Sequence, residues 1–396
     1  MQVDIFGMDH NGNGLGRINE KIVFVPKSIP GDKCLIKLVK DHKTYSIGRI
    51  EKVVEPGSNR KEVECPYYYI CGGCNISNLS YSEQLKFKKD KVKNIFKKYL
   101  GLEIDPIIIG SDKEYQYRNK ITFQGDKVNL GLISLDNKVI DINGCLLVSE
   151  RVNELYNIIK LLDISKVLKV IIKECDNGLI LSVYGELEID RLKDKCLAIY
   201  INDKCVYKDT DGYILIGSKK YVVSDRSFFQ INTGNIHKLY DTVKRLGNFQ
   251  KSDLVVDLYC GVGSIGIYIA DDVASVLGIE IVSSAIDDAY RNAKMNGINN
   301  IQFICGDVSK LIDDNLVCDK LIVDPPRVGL DKHTVSVINN SLIKTVIYVS
   351  CDAMTLARDI SNLTNYLVDE IVLVDMFPQT HHVESVSVLR RKKLEK

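Results

Sequence analysis

The sequence predicts a three-part α/β protein with an N-terminal OB-like β-barrel, a mainly antiparallel central domain and a C-terminal doubly wound domain. Two patterns support this prediction. Short apolar runs separated by turn clusters fill most of the chain up to residue 225, whereas strand-like runs alternate with helical segments from about residue 250. The length of 396 residues is also appropriate for two or three domains.

Residues 1–60 are the predicted barrel. Four or five short apolar runs are separated by glycine-rich turns, the clearest of which are residues 10–16 and 28–32. Ten basic and seven acidic residues lie in this region, whereas the whole chain has a net charge of +1. The total charge therefore does not argue for a nucleic-acid partner, and any such argument must rest on local charge.

Residues 61–225 are the predicted central domain. They begin with a cysteine-dense segment and a helix predicted over 82–99, which carries seven lysines and two acidic residues. Such a face is usually only solvated, and contact with backbone phosphates is the alternative. We place this helix in the central domain, with packing on the C-terminal domain as the other possibility. Further β-like runs and a helix at about 150–162 predict a mainly antiparallel sheet.

Residues 226–396 are the predicted doubly wound domain. Its ligands are expected in a crevice beyond the carboxyl ends of the strands. The residues that fall at such ends are Asp257, Glu280, Asp307, Asp324 and Cys351.

Residues 261–266 fit the pattern GxGxxG, which suits either a dinucleotide or S-adenosylmethionine (AdoMet). Asp257 favours AdoMet, because a carboxylate attracts an amino group and repels a pyrophosphate. Glu280 can accept hydrogen bonds from the ribose hydroxyls of either cofactor. An oxidoreductase that binds NAD is therefore the alternative to a methyltransferase.

Three further residues are candidates for chemistry. Residues 324–327 (Asp-Pro-Pro-Arg) predict a rigid turn that presents Asp324 to a ligand, with a plain proline-rich turn as the alternative. Cys351 is either a buried structural thiol or a nucleophile, and Glu384 is the best candidate for a base. The adjacent His381 and His382 suggest a metal, but neighbours on an extended chain point apart, so we interpret them as structural.

The cysteines indicate a metal site. The first ten residues lack a secretory signal, so we expect a cytoplasmic protein in which the 12 cysteines do not form a disulfide framework. Cys65, Cys71 and Cys74 form a cluster for which Cys145 is the candidate fourth ligand. A single CxxC pair favours an iron–sulfur cluster over zinc without excluding it. No 18-residue window is free of charge or strong polarity, so we expect no membrane helix.

Taken together, these residues resemble the RNA uracil-5-methyltransferase family, in particular its 23S ribosomal RNA branch with a TRAM domain and a [4Fe–4S] cluster. The resemblance covers essentially the whole chain and includes residues 12–16, 228–232 and 257–261. It implies that residues 1–60 are the TRAM domain and that 226–396 are the AdoMet-dependent methyltransferase domain. The roles it implies are cluster ligands for Cys65, Cys71, Cys74 and Cys145, AdoMet contacts for Gln230, Tyr259, Glu280 and Asp324, substrate contacts for Phe228, Gln230 and Asp324, nucleophile for Cys351 and general base for Glu384.

The implied activity is AdoMet-dependent methylation of a uridine at C5 in 23S rRNA, by a monomer that holds RNA with its barrel and lysine-rich helix. The alternatives are the same chemistry on transfer RNA and, from another class, a non-catalytic RNA-binding protein. The chain departs from the family at Asp352-Ala353, where Asn-Pro is usual. This departure predicts a less rigid loop and a raised pKa for Cys351, because Asp352 repels the thiolate.

Overall fold

The computed structural model describes residues 1–225 and 229–393 of the chain. Within these ranges the strands form sheets of six, seven and eight strands and one two-stranded hairpin. The first two sheets lie in the N-terminal and central parts, and the eight-stranded sheet lies in the C-terminal part. This arrangement confirms the predicted fold class. No helix in the described ranges is long and apolar enough to cross a membrane.

The N-terminal sheet has the strand order β1-β5-β6-β4-β3-β2 and encloses a small apolar core. Gly16 explains part of its tight packing, because a Cβ atom there would lie 2.2 Å from Cγ1 of Val3. Glycine therefore lets the third strand approach the first. The strands are β1 (Gln2–Asp4), β2 (Gly7–Met8), β3 (Gly14–Ile18), β4 (Lys21–Val25), β5 (Lys33–Asp41) and β6 (Tyr45–Glu55).

Two elements that follow the barrel join the C-terminal sheet, the first by packing on it and the second as its edge strand. They are α1 (Tyr81–Leu100) and β7 (Ile107–Ile109). The helix predicted over 82–99 is thus confirmed; Ser80 caps its N-terminus by accepting from the backbone N–H of Glu83, and Gly101 ends it in a left-handed conformation. Its buried apolar side chains belong to the core on one face of the C-terminal sheet.

The central sheet has the order β10-β9-β8-β11-β12-β13-β14, and only its β12–β13 pair is parallel. One face is covered by α2, whose Tyr156 ring stacks on that of Phe123 with centroids 3.9 Å apart. The elements are β8 (Lys120–Gly125), β9 (Leu130–Ile133), β10 (Val139–Asp141), α2 (Glu150–Lys160), β11 (Val167–Cys175), β12 (Gly178–Gly185), a 3₁₀ helix (Asp190–Lys195), β13 (Ala198–Ile201) and β14 (Lys204–Lys208).

A hairpin and a helix connect the central sheet to the C-terminal sheet. They are β15 (Gly212–Ile216), β16 (Lys219–Val223) and α3 (Thr233–Gly247). The C-terminal sheet itself has the order β19-β18-β17-β20-β21-β23-β22-β7. Its elements are β17 (Leu254–Leu258), α4 (Ser264–Ile269), a 3₁₀ helix (Ala270–Asp272), β18 (Ser275–Glu280), α5 (Ser283–Met295), β19 (Ile301–Cys305), α6 (Val308–Leu311), β20 (Lys320–Val323), α7 (Lys332–Asn340), β21 (Thr345–Ser350), α8 (Ala353–Asn362), β22 (Tyr366–Val374) and β23 (Glu384–Arg391).

The strand directions in this sheet determine where its polar residues meet. Strands β17 to β21 are mutually parallel, whereas β23 lies antiparallel to β21 and to β22. The start of β23 therefore lies at the same edge as the ends of the parallel strands. Two apolar cores, one on each face, hold the sheet and leave this edge to the loops.

Candidate active site and cysteine cavity

The glycine-rich loop after β17 leaves an open space beside a buried carboxylate. Tyr259 and Gly261 have positive φ angles of 63° and 55°, and a Cβ atom at Gly261 would meet no atom within 4 Å. Oδ2 of Asp257 accepts the backbone N–H of Gly266 at 3.2 Å, whereas its buried Oδ1 has no partner among the described residues. Burial, followed by repulsion from Asp324, raises the pKa of Asp257 to about 8.

Glu280 faces the same loop from the end of β18. Its Oε2 accepts the backbone N–H of Gly261 at 3.2 Å, and its Oε1 accepts that of Val282 at 2.8 Å. Each carboxylate oxygen retains a second acceptor site for a ligand hydroxyl. The structure thus brings Glu280, Gly261 and Asp257 together at one edge of the sheet.

Cys351 directly follows β21, and Glu384 is the first residue of the neighbouring strand β23. Ser350 at the end of β21 pairs with Ser385 of β23, so the next register position places Cys351 opposite Glu384. Asp324 follows the adjacent strand β20, and its charge acts on both residues. The nucleophile and base suggested by the sequence are therefore brought together with Asp324, although they lie far apart in the chain.

The electrostatics of this group disfavour negative charge in the absence of a ligand. Burial, then repulsion from Asp324, raises the pKa of Glu384 to about 8, and burial raises that of Asp324 to about 7. Burial and repulsion from Glu384 raise the pKa of Cys351 to about 11, and Arg327 opposes this shift. A cation bound among these side chains would lower all three pKa values.

Asp352 caps the helix that follows Cys351. Its Oδ1 accepts the backbone N–H groups of Met354 and Thr355, both at 2.9 Å, and its own N–H donates to Oγ of Ser350 at 3.1 Å. These bonds hold the loop where the family's proline is missing. The prediction that Asp352 raises the pKa of Cys351 is confirmed in direction, but it is the smallest of the contributions that raise it.

The prediction that His381 and His382 point apart is wrong. Their ring centroids lie 4.0 Å apart, because both residues lie in a turn before β23 and not in an extended strand. Nδ1 of His381 is 2.9 Å from Oδ1 of Asn75. Burial lowers the pKa of His381 to about 3 and that of His382 to about 4, so both rings are neutral at physiological pH. These contacts agree with a structural role.

Gln230 lies in the segment between β16 and α3. The side chain of Asn119 holds this segment, because its Nδ2 donates to the carbonyl of Gln230 at 3.0 Å, while the Asn119 backbone N–H donates to Ile231 at 2.8 Å. Phe228, the other residue predicted here, lies outside the described residues. Sequence reasoning missed Asn119, for which the only signal is a polar residue just before a strand.

The four candidate metal ligands, Cys65, Cys71, Cys74 and Cys145, line one cavity of about 410 Å³. Across the described residues, no group of three or more His, Cys, Asp or Glu side chains is arranged to hold a metal ion. The hydroxyl of Tyr115, which also lines this cavity, is buried without a partner in the described structure.

The cavity adjoins two segments of the candidate active site. Ile231, next to Gln230, lines its wall. On the other side, the backbone N–H groups of Asn75 and Ile76 donate to the carbonyl of Gln379 at 3.0 and 3.2 Å. Asn75 directly follows Cys74, and Gln379 lies in the turn before Glu384. The loop that contains Cys71 and Cys74, here called the cysteine loop, is therefore hydrogen-bonded to the turn that leads to the candidate base.

The lysines of α1 do not form one solvated face. Lys88 is fully buried, and its Nζ lies 2.6 Å from Oδ1 of Asp375. Nζ of Lys91 donates to the carbonyl of His381 at 3.0 Å. The interpretation of the whole face as solvated or phosphate-binding is therefore wrong for Lys88, because the helix packs on the C-terminal sheet.

Comparison with known proteins finds matches over both ends of the chain and relatives that match nearly all of it. Residues 214–392 match the family described as tRNA (uracil-5-)-methyltransferase, and residues 1–50 match the TRAM domain. An uncharacterized RNA methyltransferase of Halalkalibacterium halodurans is 31% identical over 445 aligned positions, which cover 99% of this chain and 97% of the relative. Another from Caldanaerobacter subterraneus is also 31% identical, covering 98% of each chain.

A solved structure has a similar architecture over nearly the whole length. It is that of Pyrococcus abyssi tRNA (uracil-54, C5)-methyltransferase in complex with S-adenosyl-L-homocysteine, with a TM-score of 0.82 and 25% identity, covering 98% of this chain and 100% of the other. The family resemblance and the N-terminal TRAM domain are thus confirmed. The chain belongs to the RNA uracil-5-methyltransferase family.

Proposed function

We propose that this chain transfers a methyl group from AdoMet to C5 of a uridine in 23S rRNA. The observation that carries the proposal is the opposition of Cys351 and Glu384 at the ligand-binding edge of the sheet, next to Asp324. Uracil C5 is a poor nucleophile, and addition of a thiolate at C6 overcomes this. Such chemistry needs a nucleophile and a separate base within reach of one ring.

The proposed steps use these two side chains in turn. The Cys351 thiolate forms a bond to C6, which converts the ring to an enolate with a nucleophilic C5. C5 then takes the methyl group, so that it carries both a methyl group and a proton. The Glu384 carboxylate removes that proton, the C5–C6 double bond re-forms, and the C6–S bond breaks to release the thiolate. We place Asp324, Gln230 and Phe228 around the uracil ring, which is flipped out of its RNA stack.

The loop after β17 fits AdoMet. Oδ1 of Asp257 is buried without a partner in the described structure and can accept from the amino group of the methionine moiety. Glu280 has acceptor sites for both ribose hydroxyls, and the space at Gly261 leaves room for the ligand. AdoMet supplies an electrophilic methyl group on a positively charged sulfur. We assign Tyr259, Gln230 and Asp324 as its further contacts.

The positive charge of the cofactor also favours ionisation of Cys351 and Glu384. Bound AdoMet would bring a positive charge to this site and would lower the pKa of Glu384 and of Cys351, because opposite charge favours the anionic form of each group. The raised pKa values of Cys351 and Glu384 then make ionisation of these two groups depend on AdoMet binding. The thiolate and the carboxylate form mainly when the methyl donor is present.

We further propose that Cys65, Cys71, Cys74 and Cys145 hold a [4Fe–4S] cluster. Support comes from the cavity that all four cysteines line, and from the hydroxyl of Tyr115, which has no partner in the described structure and can donate to a cluster sulfur. Methyl transfer has no redox step. The proposed role is therefore to hold Asn75 and Ile231, and through them the segments at Gln379 and Gln230.

The mechanism is tested with RNA that contains 5-fluorouridine. Fluorine cannot leave C5 as a proton, so the enzyme, this RNA and AdoMet should form a stable covalent adduct that migrates as a heavier band on denaturing gels. Cys351→Ala should form no adduct, whereas Cys205→Ala, which changes an exposed cysteine, should form as much as the wild type. An adduct with Cys351→Ala would show that another residue is the nucleophile.

Methylation of transfer RNA by the same chemistry is the second candidate. It is favoured by the likeness to the Pyrococcus abyssi tRNA enzyme over 98% of this chain. Mapping of 5-methyluridine in both RNA classes, from strains with and without the gene, separates the two candidates. Loss from 23S rRNA alone supports our proposal, and loss from transfer RNA alone replaces it. Unchanged levels in both, with RNA binding retained, would favour a non-catalytic RNA-binding protein.

A further inference from the structure

Lys27 carries a positive charge from the N-terminal barrel into the cysteine cavity region. It follows β4 in a left-handed conformation, with φ of 68°, and only 3% of the residue is exposed. Its Nζ donates to the carbonyl of Cys74 and lies 4.5 Å from the centroid of the Tyr68 ring. Its own carbonyl accepts from Nδ2 of Asn78 at 2.9 Å and from Nη2 of Arg60 at 3.0 Å. The residue is thus held firmly at the edge of the cysteine loop.

Within the part of the chain that the structure describes, this buried ammonium has no carboxylate partner. Among residues 1–225 and 229–393, no Asp or Glu oxygen lies within 4.0 Å of Nζ of Lys27. Lys88, another deeply buried lysine, has its carboxylate in Asp375 at 2.6 Å. A buried charge without a compensating charge strongly destabilises the fold or is lost, and burial lowers the pKa of Lys27. The contrast between the two lysines suggests that the counter-charge of Lys27 is absent from the polypeptide alone.

The groups whose charge acts on Lys27 are three of the candidate metal ligands, Cys74, Cys71 and Cys65. As neutral thiols they offer no negative charge. As thiolates bound to a metal centre, four cysteines outweigh the positive charge of one Zn²⁺ or of a [4Fe–4S] core. The centre then has a net negative charge beside Lys27.

We infer that Lys27 balances the negative charge of a metal–thiolate centre held by Cys65, Cys71, Cys74 and Cys145. Because Lys27 belongs to the barrel and the cysteines to the central domain, this pairing makes docking of the barrel depend on the loaded centre. The inference rests on the proposed cysteine ligands, but it does not require uridine methylation. It assigns a charged residue outside the four ligands to the stability of the centre.

Lys27→Gln is the sharpest test, because glutamine retains a hydrogen-bond donor for the carbonyl of Cys74 and removes only the charge. The chain is isolated with its metal, and iron, sulfide and zinc are measured to identify the centre. We expect the rate of metal loss to a chelator to rise about 10–100-fold, the range typical of residues that support metal ligands. Lys43→Met, which changes an exposed barrel lysine, is the control and should lose metal at the wild-type rate.

A second readout separates charge balance from a purely structural role. Lys27→Met and Lys27→Gln should lower the unfolding temperature of the loaded chain, but should leave that of the chelated chain unchanged or raise it, because an unbalanced charge has been removed. Metal retention equal to that of Lys43→Met would overturn the inference. Equal losses of unfolding temperature in the loaded and chelated chains would also overturn it. If the wild type makes no 5-methyluridine while Lys27→Gln still loses metal, the proposed function fails and the inference stands.

Discussion

Two buried polar groups of the C-terminal domain differ in how their hydrogen bonds are satisfied. In the scaffold beside α1, Nζ of Lys88 donates to Oδ1 of Asp375 at 2.6 Å and to the carbonyl of Phe377 at 3.0 Å, and the hydroxyl of Tyr81 donates to Oδ2 of Asp375 at 3.0 Å. Every charge there has its counter-charge within the chain. This group fixes the turn that precedes Glu384.

At the candidate active site the pattern is reversed. Oδ1 of Asp257 has no partner among the described residues, and Glu384, Asp324 and Asp257 all have raised pKa values, because they are buried near one another and Arg327 offsets the shift of Glu384 only in part. Buried polar groups are normally satisfied, so the unpartnered Oδ1 of Asp257 and the raised pKa values of the neighbouring acids indicate a ligand. The buried charges at Lys88 and Asp375 are thus balanced within the chain, whereas those of the candidate active site need a bound ligand to balance them.

Substitution of the candidate base should have the largest effect on activity. Glu384→Gln should lower the methylation rate about 10²–10⁴-fold, the usual contribution of a general base. It should not lower the unfolding temperature, because it removes a poorly balanced buried acid. Methyl transfer from labelled AdoMet to RNA measures the first effect, and the variant should accumulate covalent adduct on normal RNA. Wild-type turnover by this variant would remove Glu384 from the mechanism.

Substitution in the scaffold should have the opposite outcome. Asp375→Asn leaves the Lys88 ammonium without a counter-charge and should lower the free energy of unfolding by about 3–5 kcal/mol, which urea denaturation measures. Asp105→Asn, which breaks the exposed contacts of Lys89 and Lys93, is the matched control and should have little effect. Equal stability of the two variants would show that the ion pair of Lys88 and Asp375 does not hold α1 on the sheet.

The pH dependence of stability should reveal the unbalanced acids. The pKa of Glu384 rises from 4.5 to about 8 on folding, so the native state binds more protons than the unfolded state between these values. The ligand-free chain should therefore lose stability as the pH rises from about 4.5 to about 8. Asp257 and Asp324 act in the same direction.

Thermal unfolding across this pH range tests the prediction. Glu384→Gln should show a shallower decline than the wild type, and saturating AdoMet should also flatten it, because the bound cation lowers the native-state pKa values. A profile of the wild type that rises with pH over this window would mean that the acids are balanced within the chain.

The smallest effect is expected at the loop where the chain departs from its family. Asp352→Ala removes the cap of α8 and should lower the free energy of unfolding by about 1 kcal/mol. Asp352→Asn retains the cap and removes the charge, so it should preserve stability and slightly lower the pKa of Cys351. The pH dependence of alkylation of Cys351 measures this pKa. A larger shift with Asp352→Asn than with Glu384→Gln would contradict the order of contributions found in the structure.

Predictions that depend on strand ends were possible from sequence because their physical cause is local. Alternating strands and helices imply a parallel sheet, and parallel strands end at one edge, so Asp257, Glu280, Asp324 and Cys351 were placed together from pattern alone. The role of Glu384 came from the chemistry required and from the family resemblance. The antiparallel pairing that places it opposite Cys351 is a property of the folded sheet.

The interpretations that failed, or were not made, involve contacts between distant segments. Lysines of α1 have the same sequence signature whether they face water or a carboxylate 287 positions away, as Lys88 does. The stacking of His381 on His382 depends on a turn that Gln379 and Asn75 hold from another part of the chain. Lys27 gives no signal of its place beside Cys74, 47 positions along the chain.

The sequence by itself determined the three-part architecture, the glycine-rich loop and the identity of the residues at the strand ends, because periodicity, turn chemistry and sheet topology act over short distances. The tertiary structure alone decided which buried charges are balanced within the chain and which are not. A buried charge is balanced only when folding brings its partner close to it. Such a contact between distant segments is not visible in local sequence patterns. That difference separates the scaffold at Lys88 and Asp375 from the site at Cys351 and Glu384.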